Sequence, residues 1–346
     1  MKRMMIGLGA LVLAASPALA GRDQIRIVGS STVYPFTTAV AEAFGKATGM
    51  KTPVVESTGT GGGMKLFCAG AGEDTPDFTN ASRAMKKSEF ETCVKNGVAE
   101  VVEIKVGFDG LSIAQSKAAK PFGLTKTQLF LALAKTIPDK DGKLIANPNK
   151  NWSDIDPALP ATKIEVLGPP PTSGTRDSFA ELVMEKGAEG IESLAALKKA
   201  DAKAFEAVWK AMREDGAYVE AGENDNLIVQ KLQANPDALG IFGYSFLEQN
   251  EATLSDIPVD GVEASYDSIA NGTYKVARPL FIYVKKGHAD SIPGMKEFIA
   301  EYVSDKALGE DGYLADKGLV TLPADQAGAS RKAALSLEPL QADSLK

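Results

Sequence analysis

The sequence has few of the side chains that bind metals or nucleic acids. It contains one histidine and two cysteines, which leaves few ligands for a zinc site. Acidic residues outnumber basic ones by 45 to 38, so the formal net charge is −7 at pH 7. A chain of this charge is a poor candidate for non-specific nucleic-acid binding, and its overall field does not attract anions. We therefore expect no metal, no cofactor and no nucleic-acid partner, and an anion site must act through local, buried hydrogen bonds.

Long apolar runs are also missing beyond the N-terminal segment. Within residues 1–20, Lys2 and Arg3 precede an apolar run at 6–18 and a small-x-small cleavage site at 18–20. This pattern predicts a cleavable signal peptide, and no later stretch approaches the ~20 apolar residues of a transmembrane helix. We expect an exported, periplasmic protein; a signal-anchor that is never cleaved is the alternative.

The two cysteines, Cys68 and Cys93, form an even pair in a chain that we expect to reach an oxidising compartment. Such a pair predicts a disulfide, and two buried free thiols are the alternative.

Strand-like and helix-like patterns alternate along the chain, which predicts an α/β fold with mainly parallel sheets flanked by helices. The first strand is expected at 24–28, and Phe36, Val40 and Phe44 then form one apolar helix face. Further strands are expected at 52–56, 101–106, 111–114, 163–167, 238–242 and 277–284.

The chain crosses twice between two units, near 105–112 and near 275–283. This predicts two lobes that bracket a cleft, with the crossings as a hinge. Lobe 1 would comprise residues 21–107 and 280–346, and lobe 2 residues 108–279.

Ser/Thr/Gly-rich stretches occur where strands turn into helices. Small hydroxyls, exposed N–H groups and the positive end of a helix together suit a tetrahedral oxyanion. The candidate ligands in these stretches are Ser31 and Thr32; Ser57, Thr58 and Gly59; and Ser173, Gly174 and Thr175. For Ser31 and Thr32 the simpler alternative is N-capping of the following helix.

The glycine-rich stretch at 57–63 has four glycines within five residues, which costs backbone entropy. It is not a P-loop, because no Gly-Lys-Ser/Thr follows, and Met64 stands where a Rossmann fingerprint has its third glycine. A cradle of backbone N–H groups for an anion is the interpretation we prefer; a flexible loop without a ligand is the alternative.

Two arginines adjoin these stretches. Arg83, after Ser82, can bind an oxyanion with both guanidinium nitrogens, or it can pair with Asp77 or Asp109 instead. Arg176 opens a helix, where a cation is unfavourable unless an anion lies against it. We therefore predict that Arg176 binds the anion.

Taken in order, these stretches, from Gly29-Ser30-Ser31-Thr32 to Ala277-Arg278-Pro279-Leu280, resemble the periplasmic phosphate-binding proteins of ABC transporters, type II periplasmic binding proteins. The resemblance implies a two-lobed fold that closes on inorganic phosphate and delivers it to a membrane permease, as a monomer without catalysis. It also implies ligand contacts from Ser31, Thr32, 57–59, Ser82 and 173–175. Some members have an aspartate where Ser82-Arg83 stands, and some place the binding arginine before Ser-Gly-Thr, whereas here Arg176 follows it.

A buried carboxylate that accepts the phosphate proton would favour phosphate over sulfate, which carries no proton at neutral pH. Asp109 is our preferred candidate, and Glu56 and Asp225 are the others. A receptor for another oxyanion, such as sulfate, molybdate or a phosphonate, remains an alternative function.

A secreted phosphatase or esterase with Ser57 or Ser173 as nucleophile is a further alternative. Such a serine needs a nearby base, and the one histidine, His288, lies in a polar turn of the sequence. No Gly-x-Ser-x-Gly elbow occurs. We therefore expect that the protein is not an enzyme.

Overall fold

The computed structural model describes residues 22–171, 173–221 and 225–345. The predicted signal peptide at 1–20 and Thr172 lie outside these residues. Within the described part, no helix is both long and apolar enough to cross a membrane.

Short strands and helices alternate along the chain, as the sequence predicts. The strands are β1 (Arg26–Gly29), β2 (Val54–Ser57), β3 (Phe78–Ala81), β4 (Val101–Ser116), β5 (Thr136–Pro138), β6 (Leu144–Ala146), β7 (Val166–Gly168), β8 (Tyr218–Glu220), β9 (Leu239–Gly243), β10 (Leu254–Asp256) and β11 (Ala277–Lys285). The α-helices are α1 (Tyr34–Thr48), α2 (Thr60–Phe67), α3 (Lys87–Lys95), α4 (Lys126–Leu133), α5 (Gly174–Phe179), α6 (Lys186–Glu189), α7 (Glu192–Ala200), α8 (Ala202–Lys210), α9 (Asp225–Ala234), α10 (Tyr244–Gln249), α11 (Tyr266–Ala270), α12 (Met295–Tyr302), α13 (Asp305–Leu308) and α14 (Ala324–Ser336). A π-helical turn, Ala180–Glu185, continues α5 directly.

One large sheet runs through the molecule in the order β2-β1-β3-β11-β4-β9-β7-β8, with β10 paired to β4. Its outer strands are parallel: β1 pairs with β2 and β3, and β7 pairs with β8 and β9. Its central strands are antiparallel. Strand β4 leads out of the first half of the sheet, which contains β1, β2 and β3, and β11 runs back into it in the opposite direction. The predicted α/β class is confirmed, but the sheet is mixed where we expected mainly parallel strands.

Strand β4 is a single strand of 16 residues, where the sequence predicted separate strands at 101–106 and 111–114. The backbone stays extended through this segment because β11 lies beside it and pairs Arg278 with Asp109. The first part of β4 pairs with β11 and the last part with β9. The two predicted crossings are therefore neighbouring strands of one ladder.

The apolar residues divide mainly between two cores. One packs α1, with its predicted apolar face, and α12 against the first half of the sheet. The other packs α4, α8 and the π-helical turn against the second half. Along β4 the core changes between Val106 and Phe108. The lobe boundaries at 107/108 and 279/280 stay a prediction, which this change of core supports.

Cys68 and Cys93 form a disulfide, which confirms the predicted pairing. Cys68 caps the end of α2 and Cys93 lies in α3, so the bond joins two helices of the first half. Both cysteines are buried. The bond thereby fixes the far end of the helix that begins in the glycine-rich loop.

Candidate anion-binding site

The loops after β1, β2 and β3 leave the same edge of the sheet, because these strands are parallel neighbours. Gly29 N–H donates to Thr58 Oγ1 at 3.1 Å, and Ser30 N–H donates to Asn80 O at 3.0 Å. A Cβ on Gly63 would lie 2.4 Å from Gly29 Cα, so only glycine lets α2 pack this close to β1. Three of the predicted loops are therefore held together as neighbours.

The loop between β7 and α5 reaches the first loop from the other half of the molecule. Ser173 caps α5, and its hydroxyl accepts from Thr175 N–H at 3.2 Å. Thr32 Oγ1 donates to Gly174 O at 3.4 Å, and a Cβ on Gly174 would lie 2.7 Å from Thr32 Cα. The absence of a side chain at Gly174 thus allows loops from both halves to touch.

A cleft of about 560 Å³ lies where the loops meet. It is lined by part of the predicted set and by side chains that the sequence analysis did not single out. The predicted residues at the cleft are Ser31, Thr32, Gly59, Ser82 and Arg83. The polar and charged residues that were not predicted include Thr60, Asp177, Glu181 and Arg278.

Arg278 is the most buried cationic group at this cleft, and the loop motifs of the sequence did not predict its presence there. Its Nη2 donates to Thr32 Oγ1 at 2.7 Å and to Ser178 Oγ at 2.6 Å, and its Nη1 donates to Glu181 Oε2 at 2.5 Å. Its side chain is only 9% exposed. A signal was present, because an arginine interrupts an otherwise apolar strand at the predicted second crossing.

Asp109 lies opposite Arg278 on β4, with its Oδ2 3.5 Å from Arg278 Nε. Ser178 Oγ also donates to Asp109 Oδ2, at 2.5 Å. Burial raises the pKa of the Asp109 carboxyl, although Arg278 and Ser178 oppose this shift. Ser178 therefore links a buried acid to the guanidinium at the base of the cleft.

Ser82 occupies the cleft wall formed by the first half. Its N–H donates to Thr60 Oγ1 at 3.1 Å, and the two hydroxyl oxygens also lie 3.1 Å apart. Ser57 and Thr58 do not line the cleft; Ser57 ends β2, and the Thr58 hydroxyl is taken by Gly29. Of the predicted 57–59 set, the structure brings only Gly59 to the cleft.

Arg83 lines the cleft, but its guanidinium is held by a carboxylate that the sequence analysis did not consider. It donates to both oxygens of Glu89, at 2.9 and 2.7 Å. Asp77, one of the two partners considered, is instead bound by Arg22 and His288. Arg83 therefore pairs with neither Asp77 nor Asp109.

Arg176 lies apart from the predicted group. Its guanidinium stacks over the Tyr218 ring, 4.2 Å from the centroid, and lines a separate cavity of about 820 Å³. The next residue along α5, Asp177, lies on the cleft side and accepts from Ser31 Oγ at 2.6 Å. Consecutive helical residues point about 100° apart, so Arg176 and Asp177 project in different directions, although Asp177 also borders the cavity that Arg176 lines. The structure thus does not bring Arg176 to the cleft that Ser31 lines, and its contact with the anion stays a prediction.

Glu56 and the histidine, His288, lie away from the cleft lining. Glu56 is exposed on β2, and the side chain of Asp225 is outside the described part. His288 is buried rather than in an open polar turn, with Nδ1 2.7 Å from Asp77 Oδ1. Among the described contacts, neither Ser57 nor Ser173 is hydrogen-bonded to it.

The chain matches one family model and is similar to known proteins over most of its length. The PBP superfamily domain matches residues 14–306. Protein SphX of Synechococcus elongatus is 31% identical over 89% of this chain and 80% of its own length. The phosphate-binding protein PstS of Staphylococcus saprophyticus is 30% identical over 88% of this chain and 82% of its own length.

Solved structures agree on the fold. A possible phosphate binding protein from Planctomyces limnophilus superimposes with a TM-score of 0.71 at 27% identity, covering 91% of this chain and 98% of that one. An ABC-type phosphate transport receptor from Vibrio cholerae shares the fold with a TM-score of 0.56 at 22% identity, covering 87% of this chain and 100% of that one.

Proposed function

The chain belongs to the PBP superfamily and is related to phosphate-binding proteins, and on this basis we propose that it captures inorganic phosphate and delivers it to an ABC permease. The members of this family are substrate-binding proteins rather than enzymes. We also propose that the protein is exported to the periplasm, that it is a monomer and that it contacts the permease subunits directly.

One observation carries the proposal: residues from both halves line one cleft around Arg278. Ser31 and Thr32 come from the first half, α5 begins in the second half, and Arg278 lies on the strand that joins them. Charge-assisted hydrogen bonds contribute roughly 1.5–3 kcal/mol each, and micromolar binding needs about 8 kcal/mol. A handful of such bonds is therefore enough without a metal.

Asp109 supports phosphate over sulfate as the ligand. Its Oδ2 lies 3.5 Å from Nε of the cleft cation, Arg278, whereas Glu56 is exposed on β2. A carboxylate accepts a hydrogen bond from a phosphate hydroxyl, but it repels sulfate and then stays unpaired. Ligand contacts from Ser31, Thr32, Gly59, Ser82 and Arg278 complete the proposed site.

The arrangement offers little support for the alternative of a secreted hydrolase. A nucleophilic serine needs a base within hydrogen-bond reach. Ser173 is engaged in capping α5, and the buried His288 is engaged with Asp77. We therefore propose binding and release of the anion without chemical change.

Two lobes that hinge on β4 and β11 would explain how the anion enters and leaves. The cleft walls come from both sides of these strands, so bending them would open the cleft. Ligand binding across the two halves would favour the closed arrangement.

Calorimetric titration of the purified mature protein tests the proposal. We expect saturable binding of phosphate and no measurable binding of sulfate or molybdate under the same conditions. Equal affinity for phosphate and sulfate would contradict phosphate as the ligand. Hydrolysis of a chromogenic phosphate ester that is lost in Ser173→Ala would contradict a purely binding role.

A further inference from the structure

Carboxylates outnumber the cation at the centre of the cleft. Arg278 contacts Asp109 and Glu181, and Asp177 accepts from the Ser31 hydroxyl. Asp177 has no cationic partner among the described residues. One positive charge therefore faces three carboxylates, which is an unexpected balance for a site that binds an anion.

The other charged groups of the cleft do not correct this balance, because each already has a partner. Their pairs are Arg83 with Glu89, Lys186 with Glu189, Glu185 with Lys198, and Lys210 with Glu206. The excess of negative charge thus stays at Asp109, Asp177 and Glu181.

Asp177 and Glu181 lie one helical turn apart and bind donors that an oxyanion would use. Asp177 Oδ2 takes the Ser31 hydroxyl and Glu181 Oε2 takes Arg278 Nη1. An ionised carboxylate has two oxygens and donates nothing, so Oδ1 of Asp177 and Oε1 of Glu181 keep acceptor capacity. Glu181 is half-exposed, so water can occupy these acceptors in the free protein. A ligand that replaces this water can bond to them only through its own hydroxyl protons, which a fully ionised anion lacks.

We propose that the cleft takes phosphate as the monoanion H₂PO₄⁻, and that Asp177 and Glu181 determine this preference by charge and by accepting its hydroxyl protons. The inference rests on the proposed function and specifies its ligand. The monoanion has two P–OH donors, the dianion HPO₄²⁻ has one, and sulfate has none. The dianion also adds a second negative charge beside three carboxylates.

This preference has a consequence for proton balance. Well above the second ionisation of phosphate, the free ligand is HPO₄²⁻, so binding as H₂PO₄⁻ must take one proton from the buffer. The O–H bond on the phosphate forms as the buffer acid gives up its proton, and no other covalent bond changes. The uptake can be measured because the buffer that supplies the proton contributes its own ionisation enthalpy.

The test is calorimetric titration with inorganic phosphate near pH 8.5 in two buffers of different ionisation enthalpy. We expect the wild type to take up about one proton per phosphate bound. Asp177→Asn and Glu181→Gln should each lower the uptake by about half or more and tighten binding at this pH at least ~threefold. Glu185→Gln, which removes the same charge from a paired cleft residue, should keep the wild-type uptake.

Phosphate binding by the wild type with no proton uptake would overturn this inference while leaving the proposed function intact. It would also be overturned if the uptake persisted in both carboxylate variants, or if it vanished only in Asp109→Asn. Absence of phosphate binding at both acidic and alkaline pH would instead overturn the proposed function and the inference together. Thermal melting of each variant checks that the isosteric substitutions leave the fold intact.

Discussion

Arg278 and Asp109 face each other at one register position of two antiparallel strands, with Nε of the arginine 3.5 Å from Oδ2 of the aspartate. The strands are the two that join the halves of the molecule. The central cation of the cleft and its buried acid therefore belong to the proposed hinge itself. Any bending of the hinge changes their position relative to the loops on either side.

Arg278→Ala should weaken phosphate binding by at least about 2 kcal/mol, or roughly thirtyfold, because several charge-assisted bonds are lost. Arg278→Lys keeps the charge but not the planar fork, so it should recover only part of the affinity. Arg176→Ala is the matched control, since that guanidinium stacks on Tyr218 outside the cleft. A larger loss for Arg176→Ala than for Arg278→Ala in calorimetric titration would return Arg176 to the site.

Asp109→Asn should lower the ratio of the sulfate dissociation constant to the phosphate dissociation constant by about tenfold or more. An amide of similar shape no longer repels a fully ionised anion and can donate a hydrogen bond to it. The ratio of the two dissociation constants, measured for wild type and variant in one buffer, checks this. An unchanged ratio would mean that another group discriminates between the anions.

Gly174→Ala should weaken phosphate binding while leaving most of the fold intact. The new Cβ would lie 2.7 Å from Thr32 Cα, which forces the loops of the two halves apart. Gly328→Ala is the control, because a Cβ there meets nothing within 4 Å and Gly328 lies on α14, outside the cleft lining. Titration and thermal melting of both variants test this, and equal affinities would show that the close approach is not needed for binding.

Replacing both Cys68 and Cys93 by alanine should lower the free energy of unfolding by about 2–4 kcal/mol, because the bond closes a loop of intermediate length. Their sequence separation is 25 residues. Urea unfolding of the variant and of the oxidised wild type gives the difference. Adding reductant should affect only the wild type, and a variant as stable as the wild type would contradict the prediction.

The stability of the protein should fall as the pH rises toward about 8 because of Asp256. Burial raises the pKa of its carboxyl from 3.8 to about 8, and its Oδ1 has no hydrogen-bond partner among the described residues. The folded chain then binds more protons than the unfolded chain between these values, so stability is present at low pH and is lost through the folded pKa.

Across this window the loss should amount to several kcal/mol, up to about 6. Asp256→Asn keeps an acceptor for Ala264 N–H and should flatten the pH dependence of urea unfolding. A variant with the same slope as the wild type would show that other groups determine it.

The sequence predicted the order of elements and the loops, because hydrophobic periodicity and turn chemistry are local properties. The apolar face of α1 and the disulfide are confirmed. The antiparallel centre of the sheet was not predicted, because the pairing of β11 with β3 and β4 depends on contacts between segments far apart in the chain.

The same limit applies to the candidate site. Ser31, Thr32, Gly59 and Ser82, which loop chemistry singled out, line one cleft in the structure. It did not identify Arg278, whose partners come from distant segments, and a local argument about helix charge favoured Arg176 instead. The direction in which a helical side chain points depends on how the helix packs, which the loop motif does not encode.

The position of β11 in the sheet has a consequence for how the protein is made. This strand, at residues 277–285, inserts between β3 and β4, which are synthesised much earlier. Until it emerges, β3 and β4 each present an open edge with unpaired backbone groups. The N-terminal half therefore cannot complete its own sheet during synthesis. A chain truncated before β11 should expose two strand edges that are prone to aggregation, instead of folding as an independent unit.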